Sequence, residues 1–264
     1  MELFDTHCHL SFADLAARAG EVVAGAIAAG VTRFITVASG SQEACTAIGL
    51  RQRHTHLWVA AGIHPHEAGK ADPEEFARLA ALWKERPEIV AAGEIGLDYH
   101  YDFSPRDVQR SVFMRQLELA RTTGLPIIIH SREAHGDAVR ILLDQGYAGR
   151  RVVFHCFSGT PEQAVELRSH GWWTSFTGVI TFKKADVSRR VCVETPVDQL
   201  MFETDSPYLS PEPVRGMKPN EPRNLPHTVR FAAELRGMEL DDLAAASTAN
   251  AERFFGLDQR GCNQ

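Results

Sequence analysis

The sequence predicts a single-domain (β/α)8 barrel of the TIM type, on three observations. Eight short apolar runs alternate with amphipathic helical segments, which implies parallel strands joined by right-handed crossovers. The chain has 264 residues, close to the roughly 250 typical of that fold. Metal-ligating residues end the first, fourth, fifth, sixth and eighth runs. The rival fold, a doubly wound open sheet, gathers ligands at one switch point between two neighbouring loops. Only a closed barrel brings the first and eighth strands together.

The first predicted strand, 2–8, runs into His7-Cys8-His9. Helix 20–29 leads to strand 32–37, and helix 42–53 to strand 57–63. Asp72-Pro73-Glu74-Glu75 supplies a cap and a first-turn proline for helix 73–85. Strand 89–94 ends in Glu94, and helix 105–123 stops at Gly124. Strand 126–130 carries Ile127-Ile128-Ile129, apolar at consecutive positions as a strand buried on both faces should be, and ends in His130. Helix 133–145 stops at Gly146, and strand 151–155 ends in His155. Thr160-Pro161-Glu162 opens helix 160–170, which Gly171 terminates. Strand 172–177 places Trp172 and Trp173 in the core and helix-facing layers, and helix 183–193 follows. Strand 199–203 runs into Glu203-Thr204-Asp205, and helices 225–236, 239–247 and 249–255 complete the series. Residues 1–257 form the expected barrel and 258–264 a loose tail, with no internal repeat or linker.

At 44% hydrophobic and 23% charged residues, the composition is that of a soluble globular protein. No apolar run approaches the ~20 residues that span a bilayer, so no membrane partner is expected; residues 1–20 lack a basic n-region and a long apolar stretch, so no secretory signal is expected either. Five scattered cysteines, an odd number, argue for a reducing, cytoplasmic setting rather than a disulfide scaffold. A net charge of −6 provides no basic shell for coating duplex DNA. Catalysis on a nucleic acid stays open, because metals and a few local cations can neutralise several phosphates. A monomer is expected.

Strand residues two apart face the same way. His7 and His9 can therefore both point into the barrel mouth, while Cys8 turns towards the helices and Cys156 away from His155. Four histidines and two acids at strand ends suit one or two divalent ions at the face where barrel sites lie. A carboxylate at Glu94 can bridge two ions, and such a pair can stabilise both oxygens of an in-line displacement. The mixed donors suit Zn, Mn, Co or Fe better than Mg. Asp205 can bind metal and accept the proton of the attacking water. Glu203, on the same face but deeper, is either a buried hydrogen-bonded acid or the partner that orients a ligand histidine.

Several motifs carry a family resemblance. They are Phe4-Asp5-Thr6-His7-Cys8-His9-Leu10, Gly62-Ile63-His64-Pro65-His66, Gly93-Glu94-Ile95-Gly96-Leu97-Asp98-Tyr99, Pro126 to Ala134, His155-Cys156-Phe157-Ser158-Gly159, and Glu203-Thr204-Asp205-Ser206-Pro207-Tyr208-Leu209. Arg215-Gly216 and Asn220-Glu221-Pro222 extend the match beyond the last strand. Together they resemble the TatD family of metal-dependent deoxyribonucleases, within the amidohydrolase-like barrels, over residues 2–257. The resemblance implies one metal held by His7, His9, Glu94 and Asp205, and a second held by Glu94, His130 and His155. It implies two divalent ions, with Mg, Mn or Zn as candidates, and catalytic roles for Glu94 and Asp205. Ser11 stands where the family often has an acid, which bears on the local loop and not on the ligand set.

For substrate, His64 is either a loop histidine or a donor to a phosphate, and Arg132 either a phosphate clamp or the ion-pair partner of Glu133 or Asp137. Lys183 and Lys184 follow the seventh strand, where barrels often bind phosphate, though exposed lysine pairs are commonly just solvated. Tyr99, His100, Tyr101 and Phe103 crowd the loop after the fourth strand and either pack the rim or stack on unpaired bases. The resemblance implies a deoxyribonuclease acting on single-stranded or frayed 3′ ends of DNA. The alternative is deacylation of D-aminoacyl-tRNA at the same metals, with tRNA as partner. Amidohydrolases that bridge their metals through a carbamylated lysine fit less well, because residues 89–94 contain no lysine. The full ligand set argues against a non-enzymatic binding module.

Overall fold

Eight parallel strands pair in strict sequence order around a ring. They are β1 (Leu3–Cys8), β2 (Val31–Ala38), β3 (Leu57–Ala61), β4 (Ile89–Asp98), β5 (Ile127–Arg132), β6 (Val152–Phe154), β7 (Trp173–Phe176) and β8 (Leu200–Phe202). The computed structural model describes residues 1–257; the predicted tail at 258–264 lies outside the described residues. Beyond the regular pairing, Asp205 N–H donates to His7 O and His9 N–H to Ser206 O, both at 2.8 Å. These bonds join the ends of β1 and β8 and close the barrel.

The connecting helices are α1 (Ala13–Ala16), α2 (Ala19–Ala28), α3 (Ser41–Arg53), α4 (Pro73–Glu85), α5 (Arg106–Ala120), α6 (His135–Asp144), α7 (Pro161–Ser169), α8 (Asp186–Glu194), α9 (Leu225–Arg236) and α10 (Leu240–Phe255). The predicted caps form: Asp72 accepts from Glu75 N–H at the start of α4, and Thr160 and Gln163 make a reciprocal box at the start of α7.

Strand alternation sorts the core into two layers. Phe4, Ile35, Val37, Val90, Ile128 and Met201 point into the barrel, where Phe254 and Phe255 of α10 pack against them. Leu3, Phe34, Val59, Ile127, Ile129 and Trp172 belong to the layer between strands and helices. Trp173 packs on the inner cluster with its ring 5.4 Å from Phe254. The apolar interior fills the barrel from below and leaves its polar residues at the upper mouth.

In two places the elements differ from the predicted ones by more than three residues. The helices expected at 239–247 and 249–255 are one helix, α10. Its polar stretch looks like a break but is anchored: Thr248 donates to Glu2 O (3.1 Å), and Asn250 to Val197 O (2.8 Å) and Leu200 O (2.9 Å). The strand expected to stop at Glu94 continues to Asp98. Gly93 and Gly96 end the apolar run without ending the strand, because β5 lies too close for side chains. A Cβ on Gly96 would fall 2.0 Å from His130 O, and one on Gly93 2.7 Å from Ile128 O. The short α1 and a 3-10 turn at Pro65–Lys70 carry no signal in the apolar pattern.

Candidate metal centre

The mouth of the barrel draws the predicted ligands together around one carboxylate. The β4–β5 pairing shifts register between Ala92 and Ile95, and Glu94 sits in that irregularity, 2% exposed. Its Oε2 lies 3.3 Å from His7 Nε2. Its Oε1 lies 2.5 Å from His130 Nδ1 and 2.6 Å from His155 Nε2. The two oxygens therefore face two separate groups of imidazoles.

On the first side, His7 Nε2 and His9 Nε2 are 3.2 Å apart, and Asp205 Oδ1 lies 3.7 Å and 3.3 Å from them. Strand alternation delivers both rings to one face, as expected, and sends Cys8 outward to donate to Ile35 O at 3.3 Å. His9 Nδ1 is 3.2 Å from Val37 O, which as acceptor leaves Nε2 free to present its lone pair. Asp205 itself has φ +52, a left-handed conformation that costs energy in a non-glycine residue and is held here by the Asp205–His7 backbone bond. Asn220 fixes the same loop, donating to Thr204 O (3.1 Å) and Tyr208 O (2.6 Å).

On the second side, each ring has a carboxylate behind it. Asp98 Oδ2 lies 3.0 Å from His130 Nε2 and 2.9 Å from His66 Nε2. Glu203 Oε1 lies 3.3 Å from His155 Nδ1, within ion-pair range but outside hydrogen-bond geometry. Glu203 is buried, accepting from Cys156 N–H and Ser175 Oγ at 2.7 Å each, and its carboxylate stands behind the His155 ring. Asp98 had a sequence signal that the expected strand end concealed. It stands four residues after Glu94 in the same strand, hence on the same face. Asp5 is a second unforeseen acid. It is wholly buried, accepts from Thr204 N–H (2.9 Å) and Thr204 Oγ1 (2.6 Å), and is pushed up to about 8 by that burial.

The donor chemistry fits divalent cations. Within each trio, His7, His9 and Glu94 or Glu94, His130 and His155, the ligand atoms lie within 4.8 Å of one another, and Glu94 belongs to both. Imidazole nitrogens facing one another and two carboxylates satisfy each other only in part; His7 Nδ1 has no partner among the described residues. The protonation pattern tells the same story. Burial opposes charge on His9, His130 and His155, yet Asp205 raises His9, and Glu94 raises His130 and His155. Against its own burial, Glu94 is held well below the usual carboxylate range by His155, His64 and His130. Among the rings of the predicted ligands, His7 alone is pushed down, by its burial and by the neighbouring His155.

Among the residues expected to touch substrate, His64 is at the centre. Its Nε2 is 3.3 Å from His130 Nδ1 and 3.5 Å from Glu94 Oε1. Its Nδ1 accepts from His66 N–H at 3.1 Å, which places the proton of the neutral ring on Nε2. Burial pushes His64 down to about 4, so it is a neutral donor at ordinary pH. Tyr99 is engaged elsewhere: its hydroxyl donates to Asp137 (2.6 Å), and Arg106 covers its ring at 4.5 Å. Arg132 pairs with neither Glu133 nor Asp137; its guanidinium lies 4.7 Å over the Tyr101 ring. Lys183 and Lys184 are exposed. Ser11 donates to Glu43 at 2.9 Å, so an acid carried by α3 supplies a carboxylate to this loop.

The full sequence matches the family described as TatD related DNase over residues 4–256. The chain belongs to the TatD family. It is 38% identical over 256 residues to a Bacillus subtilis protein named uncharacterized metal-dependent hydrolase YabD, covering 97% of this chain and all of that one. It is 35% identical over 262 residues to the 3′-5′ ssDNA/RNA exonuclease TatD of Citrobacter rodentium, covering 97% and 98%. The crystal structure of YJJV, a TatD homologue from Escherichia coli, superposes with a TM-score of 0.91 at 29% identity, covering 96% and 98%. The protein is a metal-dependent hydrolase of the TatD family, and the TatD barrel is the fold predicted from its strand pattern.

Proposed function

We propose that this TatD protein shortens single-stranded DNA or RNA from unpaired 3′ ends, with the help of divalent ions that Glu94 and the residues around it would hold. The observation that carries the reading is the division of labour at Glu94, whose Oε2 faces His7 and whose Oε1 faces His130 and His155. His7, His9, Glu94 and Asp205 would hold one ion; Glu94, His130 and His155 would hold the other. Bound there, the ions supply Lewis acidity at the phosphate and a nucleophilic water at neutral pH. Asp205 would accept the proton of the attacking water, being a carboxylate kept ionised, against its burial, by His9 and His7. Asp98 and Glu203 fix the rings of His130 and His155. His64 donates from Nε2 to a phosphate oxygen. The 3′-to-5′ direction and the single-stranded substrate are supported by the names of relatives such as that of Citrobacter rodentium.

The test uses chelator-stripped protein reloaded with Mg, Mn or Zn. Single-stranded DNA and RNA labelled at the 5′ end should yield a ladder shortening from the 3′ end. Inactivity on every strand, with turnover of D-aminoacyl-tRNA, would move the same metal site to ester deacylation.

A further inference from the structure

The exposed aromatic residues are distributed unevenly. Among the described residues, the exposed Phe, Tyr and Trp side chains are Phe12 (42%), Tyr101 (49%), Phe103 (68%) and Tyr208 (51%). All four stand at the barrel mouth, in two pairs. Tyr101 and Phe103, in the loop after β4, are stacked with ring centroids 5.2 Å apart and planes 2° apart. Both meet the His66 ring edge-on, at 5.6 Å and 4.8 Å, and His66 in turn contacts His64 at 4.3 Å. Phe12, before α1, and Tyr208, after β8, lie 6.3 Å apart, and Tyr208 is 6.3 Å from the His9 ring. In ring order β8 and β1 are adjacent, with β4 across the barrel from them. The pairs thus flank the metal centre, one beside each group of imidazoles.

We propose that these pairs are two stacking platforms, which grip the unpaired nucleobases on either side of the phosphate being cleaved. The inference rests on the single-stranded nucleic-acid reading above and adds the residues that hold the bases. Large apolar rings left in water beside a hydrolytic centre need an occupant that is flat, apolar on its faces and linked to an anion. Nucleobases joined by phosphodiesters meet all three requirements. Arg132 strengthens the choice: it covers the Tyr101 ring, and no carboxylate among the described residues pairs with it. It therefore offers a cation to a phosphate or a base face with no ion pair to break. Two separate pairs across a mouth also differ from the single contiguous patch that a protein partner would cover. Stacking pays little regard to base identity, so the grip is sequence-tolerant.

The test is a cycle between protein and substrate. Phe103→Ala and Phe12→Ala are assayed with Mn on single strands that carry an abasic residue at the last or the penultimate 3′ position. Each substitution should raise KM on intact strands by on the order of 10-fold, more than it alters kcat. It should also lower kcat/KM on a single strand abasic at every position, which carries no aromatic ring, far less than on intact strands. Loss of one base should remove most of the effect of one substitution and leave the other intact, and Phe103→Trp should restore strand affinity. Equal losses on intact strands and on the all-abasic strand would overturn the platforms while leaving the nuclease reading standing. So would additive effects of base and ring removal, or a change of oligomeric state in their place. No cleavage of any strand by the wild-type protein would overturn both.

Discussion

Glu94 decides more than any other side chain here, because each of its oxygens serves a different set of rings. Glu94→Ala should leave fewer metal ions per chain than wild type and abolish hydrolysis; full occupancy with normal turnover in metal analysis would sink the bridging role. Asp205→Asn should keep most of the metal, since several donors remain, but lower kcat by roughly 10²–10⁴-fold, the usual scale for a lost general base. A near wild-type kcat would hand the proton to another residue. Asp98 touches no ion in this scheme and holds His130 in place from behind. Asp98→Asn should weaken metal affinity by roughly 10–100-fold, read by competition with a chelator, and the loss should be greater than in Cys8→Ala, whose thiol points away from the mouth.

At the scale of the element, β4 departs furthest from an ideal strand, and its departures serve the site. Glycine at position 96, with φ +144 and His130 O where a Cβ would stand, lets β5 approach so that His130 reaches Glu94. Gly96→Ala must push the strands apart or distort both. We expect a lower Tm together with reduced metal content in the fraction that folds; an unchanged Tm with full metal would show that the β4–β5 spacing is not what positions His130. The sequence revealed the apolar half of β4 and its terminal acid but not the half from Ile95 to Asp98. Its glycines read as a turn until a neighbouring backbone explains them.

Over the whole molecule, charge and shape restrict the substrate together. A net charge of −6 gives no broad basic face for a double helix, and the metal centre lies at a mouth ringed by loops. Closed circular duplex DNA should therefore survive conditions that degrade end-labelled single strands, and rapid nicking of circles on a gel would overturn the end-directed reading. No helix among the described residues is long and apolar enough to cross a membrane, consistent with a composition in which apolar runs stop at strand length.

The sequence alone determined the barrel and the grouping of the candidate ligands at its mouth, because both rest on local rules. Apolar runs of strand length alternate with capped helices, and period-two alternation puts His7 and His9 on one face. Barrel topology then carries every strand end to one mouth, so Glu94, His130, His155 and Asp205 needed no distance measurement to be grouped. Tertiary structure alone decided what those rules cannot reach. Which Glu94 oxygen faces which ring depends on the register break in β4. That Asp98 backs His130 and His66, and that Asp5 locks Thr204 across 199 residues of chain, depends on how β1, β4, β5 and β8 lie side by side. Loop conformation settled the aromatics in the same way: it turned Tyr99 towards Asp137 and left Tyr101, Phe103, Phe12 and Tyr208 facing solvent beside the metal centre. Side-chain pairing in loops is set by which neighbours the closed barrel supplies, and no periodicity in the sequence encodes it.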